Sequence, residues 1–312
     1  MARLRYTISM EEMRLSDTAA PDELELRPMV GASARSVLSE LLDRSFGLKP
    51  GERFLSDFPV WEPGLCRSVS RWGIFDGDTL VATAGVREAN LKQAPGGYTT
   101  FGIVGGVATD PPYQGRGLAS RLLSVIDAYA RAQKFSALVL WGSQHDFYRK
   151  HGFELCGEQT RFPLGILEIR EEPAAFQLGY GPEIFAARRK HSCGLQLTDE
   201  DQLWYSRHVN AQWGWTGTAT DVTAYVAIGR GIDLPGMIHE WGGKPAELRG
   251  LLKALQSRIP EVEILGNGAL FSEWGIKAPR PPVTEFLCMA KSLDGTAPVS
   301  KIPFWLWGLD SA

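Results

Sequence analysis

Residues 107–123 read Val-Ala-Thr-Asp-Pro-Pro-Tyr-Gln-Gly-Arg-Gly-Leu-Ala-Ser-Arg-Leu-Leu, and this stretch decides the fold. Before it, residues 99–109 form an apolar strand unusually rich in glycine; Gly105 and Gly106 mark a bulge or a close approach by another backbone or a ligand. After it, Leu118, Leu122, Val125, Ile126 and Tyr129 recur at helical spacing. The order is therefore strand, glycine-rich turn, helix. A helix start leaves amides without intrahelical acceptors, and its dipole favours negative charge, so such a turn is an anion site. Gly115 and Gly117 let a phosphate approach without a side chain in the way. Arg116 either adds a charge-assisted contact or points to water.

Upstream, a strand at 24–29 leads into a helix at 34–46, and residues 49–63, dense in proline, aromatics and acids, form an ordered loop or short helices over a cleft. Strands at 68–75 and 79–89 meet across Asp76-Gly77-Asp78 as a hairpin. Downstream follow a short buried strand at 136–141, a short helix at 145–152 ended by Gly152, and a strand at 153–162. Residues 165–182, with acids, prolines and glycines, connect two domains. Beyond them much of the order repeats: a helix at 199–211, strands at 222–229 and 237–241, a helix at 245–258, and strands at 262–265 and 284–290. The stretch Ala269–Ile276 echoes Asp146–Phe153, with Gly275 at Gly152 and Phe271 at Tyr148.

A chain of 312 residues is about twice a typical domain of roughly 150, which agrees with two domains, 1–165 and 175–312. A formal charge of -3 without blocks of like charge argues against nucleic-acid partners. No apolar run approaches the roughly 20 residues that span a bilayer, and the opening residues lack a secretory stretch, so the expectation is a cytoplasmic protein without a membrane partner. Cys66, Cys156, Cys193 and Cys288 stand too far apart for a zinc pattern and read as buried thiols. The five histidines show no paired spacing, so no metal is expected. A dinucleotide enzyme is disfavoured, because no acidic residue ending a second strand follows about 20 positions on.

The run from Val107 to Leu123, followed by a strand and by Phe147-Tyr148-Arg149-Lys150-His151-Gly152-Phe153, resembles the GNAT superfamily of acyl-coenzyme A dependent N-acetyltransferases. Gln114-x-x-Gly117-x-Ala119 fits that family's pyrophosphate pattern, and Tyr148 falls where many members carry a tyrosine close to the coenzyme sulfur. The resemblance implies an α/β fold with a mixed, mostly antiparallel central sheet flanked by helices, here twice in tandem. It also implies acetyl-coenzyme A as co-substrate, with pantetheine along Val107, Ala108 and Thr109. The pyrophosphate would lie on the amides of Gly115, Arg116, Gly117, Leu118, Ala119 and Ser120, with Gln114 also among the coenzyme-binding residues and the Ser120 hydroxyl able to add a donor. A primary amine of a small molecule or a protein would attack the thioester directly, with Tyr148 protonating the thiolate.

Many relatives carry a glutamate on the strand before the turn, and residues 101–108 hold no acid or histidine. Asp110, Glu88, His145, Asp146 or a water chain are the candidate bases. Glu52, Asp57 and Glu62 either hold a cationic acceptor or form an acidic surface loop, and Arg149, Lys150 and His151 read as a solvated face. In the second half, Pro245 and Glu247 replace the phosphate turn and Phe271 replaces the tyrosine, so that copy is expected to be inactive. The apolar tail, 303–308, docks either on its own domain or across a contact in a homo-oligomer. A non-catalytic acyl-coenzyme A binding protein that kept the turn is the competing expectation.

Overall fold

The computed structural model describes residues 24–93, 97–279, 282–294 and 305–310. The opening stretch and positions 303 and 304 of the tail lie outside the described residues. Along the first half run β1 (Leu24–Pro28), α1 (Arg35–Ser45), α2 (Phe54–Asp57), β2 (Val69–Asp76), β3 (Thr79–Gln93) and β4 (Gly97–Thr109). Then come α3 (Leu118–Ala132), β5 (Ala137–Leu140), α4 (His145–Lys150), β6 (Glu154–Cys156) and β7 (Gln159–Pro163). The second half holds β8 (Gln177–Leu178), α5 (Pro182–Arg189), α6 (Gln202–Tyr205), β9 (Gln212–Thr218), β10 (Asp221–Arg230), β11 (Asp233–Gly243) and α7 (Pro245–Gln256). It closes with β12 (Glu263–Gly266), α8 (Gly268–Glu273), β13 (Val283–Glu285) and β14 (Cys288–Ser292).

Two seven-stranded sheets result, ordered β1-β2-β3-β4-β5-β14-β6 and β8-β9-β10-β11-β12-β7-β13. Among the described pairs only β4 with β5 and β11 with β12 run parallel. The fold is thus the mixed, mostly antiparallel α/β architecture expected, present twice and consistent with two GNAT-like domains in tandem. The two orders match position by position, with one exchange: β14 occupies the first sheet and β7 the second.

That exchange breaks the single strands expected at 153–162 and 284–290. Each becomes two short strands in different sheets, and the crossing segments pack on each other. Gly157, with φ +68, lies where a Cβ would stand 2.9 Å from the Leu287 Cβ, and the Leu287 amide donates to its carbonyl at 3.4 Å. Glycine is needed there for both the backbone angle and the space.

In the first sheet, α3 lays Leu118, Leu122, Leu123, Val125 and Ile126 over Val86, Val104, Leu138 and Leu140. The opposite face receives Leu38, Leu41 and Leu42 of α1, and that apolar cluster continues through Trp61 into the second sheet. Polar ties cross the same boundary. Buried Asp57 accepts from Asn210 Nδ2 at 2.5 Å and from the Ile232 amide at 2.9 Å, while Lys92 Nζ donates to the carbonyls of Arg189 and His191.

The hairpin turns at Gly77, φ +56, with Asp76 opposite Thr79. The proline-aromatic loop folds as α2 and a 3-10 turn at Pro59–Trp61. The helix expected at 199–211 is shorter: a 3-10 turn at Asp199–Asp201 leads into α6, which ends at Tyr205, and the chain then turns so that Asn210 reaches Asp57. Of the thiols, Cys156 and Cys288 are buried but Cys66 and Cys193 are half-buried, because the latter two sit on loops. Trp305, Trp307 and Asp310 are buried against their own chain, so the tail docks on the second half.

Candidate active site

Gln114 ends a 3-10 turn at Pro111–Tyr113 and donates from Nε2 to the Thr109 carbonyl at 3.2 Å, tying the turn to the end of β4. Gly115 and Gly117 both take φ +77, and no heavy atom lies within 4 Å of where a Cβ would sit on either. The first helical bond of α3 runs from the Arg121 amide to the Gly117 carbonyl, and no side chain caps the helix. The amides of Leu118, Ala119 and Ser120 therefore face an open surface, the arrangement a diphosphate requires. Arg116 lies beside this turn with its guanidinium 5.3 Å from the Tyr113 ring centroid. Ser120 Oγ is 3.0 Å from His151 Nε2, linking the start of α3 to the end of α4.

Beside the turn the first sheet opens. β4 and β5 pair only at Gly102 with Leu138 and Ile103 with Val139, so residues 104–109 have β3 on one side and no strand on the other. A register shift opposite Thr83 and Gly85 coincides with Gly106, φ +60, which is the bulge the glycines signalled. Val107, Ala108 and Thr109 thus present a free backbone edge to the gap, with hydrogen-bonding groups that a pantetheine amide can match.

Tyr148 stands at the far wall of the gap. A Cβ on Gly142, just past β5, would lie 2.9 Å from Tyr148 Cε2 and 3.6 Å from its hydroxyl oxygen, so the ring rests on bare backbone. The ring meets Phe147 and Phe153 edge-on and is buried; burial pushes its phenol above the usual tyrosine value, keeping it protonated at neutral pH.

A cavity of about 450 Å³ adjoins this wall, lined among others by Trp141, Gly142, His145 and Glu285. His145 is the only one of the candidate bases that lines it. Asp110 is engaged by Arg44 through two bonds of 3.1 and 2.9 Å, fixing the end of α1 to the end of β4. Asp146 pairs with Arg149 in solvent, and Glu88, opposite Gly102 in the β3–β4 ladder, lines a different cavity. The acids of the proline-aromatic loop are also engaged: Asp57 as above, Glu62 by Arg35, and Glu52 by the Lys49 amide. His151 departs from the expected solvated face, being half-buried against Phe147 and bonded to Ser120; burial lowers its pKa, with Lys291 contributing. Sequence gave no signal for Gly142 as the seat of Tyr148, nor for Glu285, which reaches this cavity only through the strand exchange.

The second half repeats the frame and fills it. Three residues past the paired Ile103 of β4 stands Gly106, and three past the paired Ile238 of β11 stands Trp241. Trp241 is fully buried and donates from Nε1 to the Leu265 carbonyl of β12 at 2.7 Å, spanning the gap that stays open in the first sheet. Phe271 packs on Gly266 as Tyr148 packs on Gly142, and Trp307 of the tail meets Trp241 at 5.0 Å. Glu240 carries the acid that β4 lacks, but Arg188 holds it at 2.6 Å and also pairs with Asp310 at 2.5 Å; burial pushes the Glu240 carboxyl up to about 8.

The open splay and its glycine turn lie within a segment that the family comparison matches. Residues 31–156 match the family model of the acetyltransferase (GNAT) domain, and that part of the chain is a GNAT domain. Among solved structures, a GCN5-related N-acetyltransferase from Kribbella flavida is similar at TM-score 0.63 and 17% identity, over 87% of this chain and 72% of that one. A conserved protein of unknown function from Enterococcus faecalis V583 is similar at TM-score 0.63 and 16% identity, over 88% and 73%. Eis1 from Mycobacterium abscessus is similar at TM-score 0.59 and 13% identity, over 87% and 74%. At such identities the likeness is one of fold. No curated protein matches the sequence. Among the described residues no helix is long and apolar enough to cross a membrane, and no three His, Cys, Asp or Glu side chains gather as a metal site needs.

Proposed function

We propose that this protein transfers an acetyl group from acetyl-coenzyme A to a primary amine of a small molecule or a protein. The thioester supplies an activated carbonyl. The amides from Gly115 to Ser120 hold the pyrophosphate, and the free edge of Val107, Ala108 and Thr109 holds the pantetheine arm. An amide of the bulged strand donates to the developing oxyanion, and the amine attacks directly. Tyr148 gives its proton to the departing thiolate. A phenol is a weaker acid than a thiol of pKa about 8.5, so the transfer runs uphill and relies on positioning in a dry pocket. With no acid on β4, the amine either arrives unprotonated or passes its proton toward His145.

The observation that carries this reading is Tyr148 seated on Gly142 across the gap from the β4 edge, with the glycine turn at the gap's end. Four free cysteines accord with a reducing, cytoplasmic setting. Thiol release from acetyl-coenzyme A over a panel of amines tests the reading, with coenzyme binding measured separately. Tight coenzyme binding without release for any amine would instead indicate an acyl-coenzyme A binding protein.

A further inference from the structure

A second cavity lies away from this chemistry. It measures about 750 Å³ and sits between the halves, where β1 stops short of the end of β2 and the loop at 195–201 covers the end of β3. Tyr129, near the C-terminal end of α3, lines it, while Gly117 caps the other end; at 1.5 Å per residue the two are about 18 Å apart. Leu65, Trp72, Leu195, Leu197 and Trp204 give it a largely apolar wall, and its volume suits a small molecule.

Arg87 lines this cavity with only 2% of its surface exposed. Its guanidinium lies 4.9 Å from the Trp204 ring centroid, and its Nη1 has no hydrogen-bond partner among the described residues. Other buried arginines are engaged: Arg188 by Glu240 and Asp310, Arg230 by Asp233, and Arg71 through the Trp61 carbonyl. A buried cation without an anionic partner is costly, and stacking on an indole leaves the edge of the guanidinium to donate.

The acids nearby do not serve it. Glu200 pairs with Arg67 in solvent, and Asp201 accepts from Thr198 and from Trp204 Nε1. Glu88, the next residue on β3, also lines the cavity and is half-buried, but among the described residues no ion pair or hydrogen bond joins its carboxylate to Arg87.

We infer that this cavity is a binding site for a small organic carboxylate with an apolar body, its carboxylate paired with Arg87 and its body against the leucines and aromatics. A phosphate dianion would need several donors, and Arg87 is the buried cation in this wall; one carboxylate matches one guanidinium fork.

Hexanoate and benzoate, titrated calorimetrically into the full chain, are the probes, with hexanamide and benzamide as uncharged controls. Saturable binding of a carboxylate but not of its amide is expected, weakened roughly ten- to a hundredfold in Arg87→Met. Because removing a buried arginine can unsettle the fold, the rim variant Gln196→Trp, at an exposed position, gives a second arm: it weakens binding at an unchanged melting temperature. In the unaltered protein the bound carboxylate slows alkylation of Cys66, which lines the cavity, and leaves acetyl-coenzyme A affinity unchanged. No binding of either carboxylate, equal binding of the amides, full affinity in Arg87→Met, or an unprotected Cys66 overturns the proposal. Tighter binding of hexyl phosphate than of hexanoate overturns the carboxylate assignment.

Discussion

Cys156 Sγ lies 3.5 Å from Cys288 Sγ, and the two residues sit directly opposite each other on β6 and β14. One belongs to each half of the chain, so the pair reports the strand exchange. Thiol-disulfide exchange with glutathione disulfide is expected to join them, two thiols being oxidised as one glutathione disulfide becomes two glutathiones. Intact mass then falls by two hydrogens, and the bridge, closing a loop of 132 residues, raises stability in denaturant by about 4–5 kcal/mol at most. Failure to cross-link in the folded state would place β14 elsewhere.

Gly117→Val places a branched side chain at φ +77, on the open face where the pyrophosphate is to lie. The backbone strain is about 1–3 kcal/mol, which a two-sheet core tolerates. Coenzyme binding, followed by calorimetry, is expected to vanish while the circular dichroism spectrum stays unchanged. Unaltered affinity would remove the phosphate from Gly115 to Ser120.

Tyr148→Phe keeps the ring on Gly142 and removes only the proton. Turnover is expected to fall by on the order of a hundredfold with little change in coenzyme affinity. The acid form is the active one, so activity holds below the phenol's pKa and is lost as pH rises through it; burial moves that alkaline limb above the ordinary tyrosine value. A variant with full turnover makes Tyr148 a packing residue.

Trp241 closes the second gap, so coenzyme is expected to bind with a stoichiometry of one per chain, and replacing Lys244 and Glu247 is expected to leave it at one. Trp241→Ala removes a fully buried indole and its bond to Leu265, at a cost of about 3–5 kcal/mol read from the denaturation midpoint. A stoichiometry of two in the unaltered protein contradicts the filled gap.

His239 is buried beside Arg230 and bonded from Nε2 to the Gly229 carbonyl; burial, with Arg230 adding to it, lowers its pKa to about 4. The unfolded chain therefore binds a proton near pH 6.5 that the folded chain refuses until about 4. Stability is lost as pH falls through that window, by about 3 kcal/mol from this residue. His239→Gln is expected to flatten the fall in melting temperature between those two values.

Much of the first half was legible because its signals are local. Glycine at Gly77, Gly115 and Gly117 marks backbone angles that other residues avoid, and Leu118, Leu122 and Ile126 mark a helix face by spacing alone. The two strands that cross between sheets misled, since a run of β-forming residues at 153–162 carries no sign that it changes partner at Gly157. β9, Gln-Trp-Gly-Trp-Thr-Gly-Thr, is not legible because its glycines weaken strand propensity and its bonds are completed only by β8 and β10 on either side.

By itself the amino-acid order determined the strand-turn-helix unit, the repeated order of elements and the glycine turn proposed to receive an acyl-coenzyme A, because each depends on neighbours a few positions apart. Tertiary structure alone decided which gap stays open and which is plugged by Trp241, which half supplies the sixth strand of each sheet, and that Arg87 is buried with no anionic partner among the described residues. Those outcomes depend on packing between side chains from two dozen to more than a hundred residues apart, and alternation or helical periodicity says which face of an element is apolar without naming what will cover it.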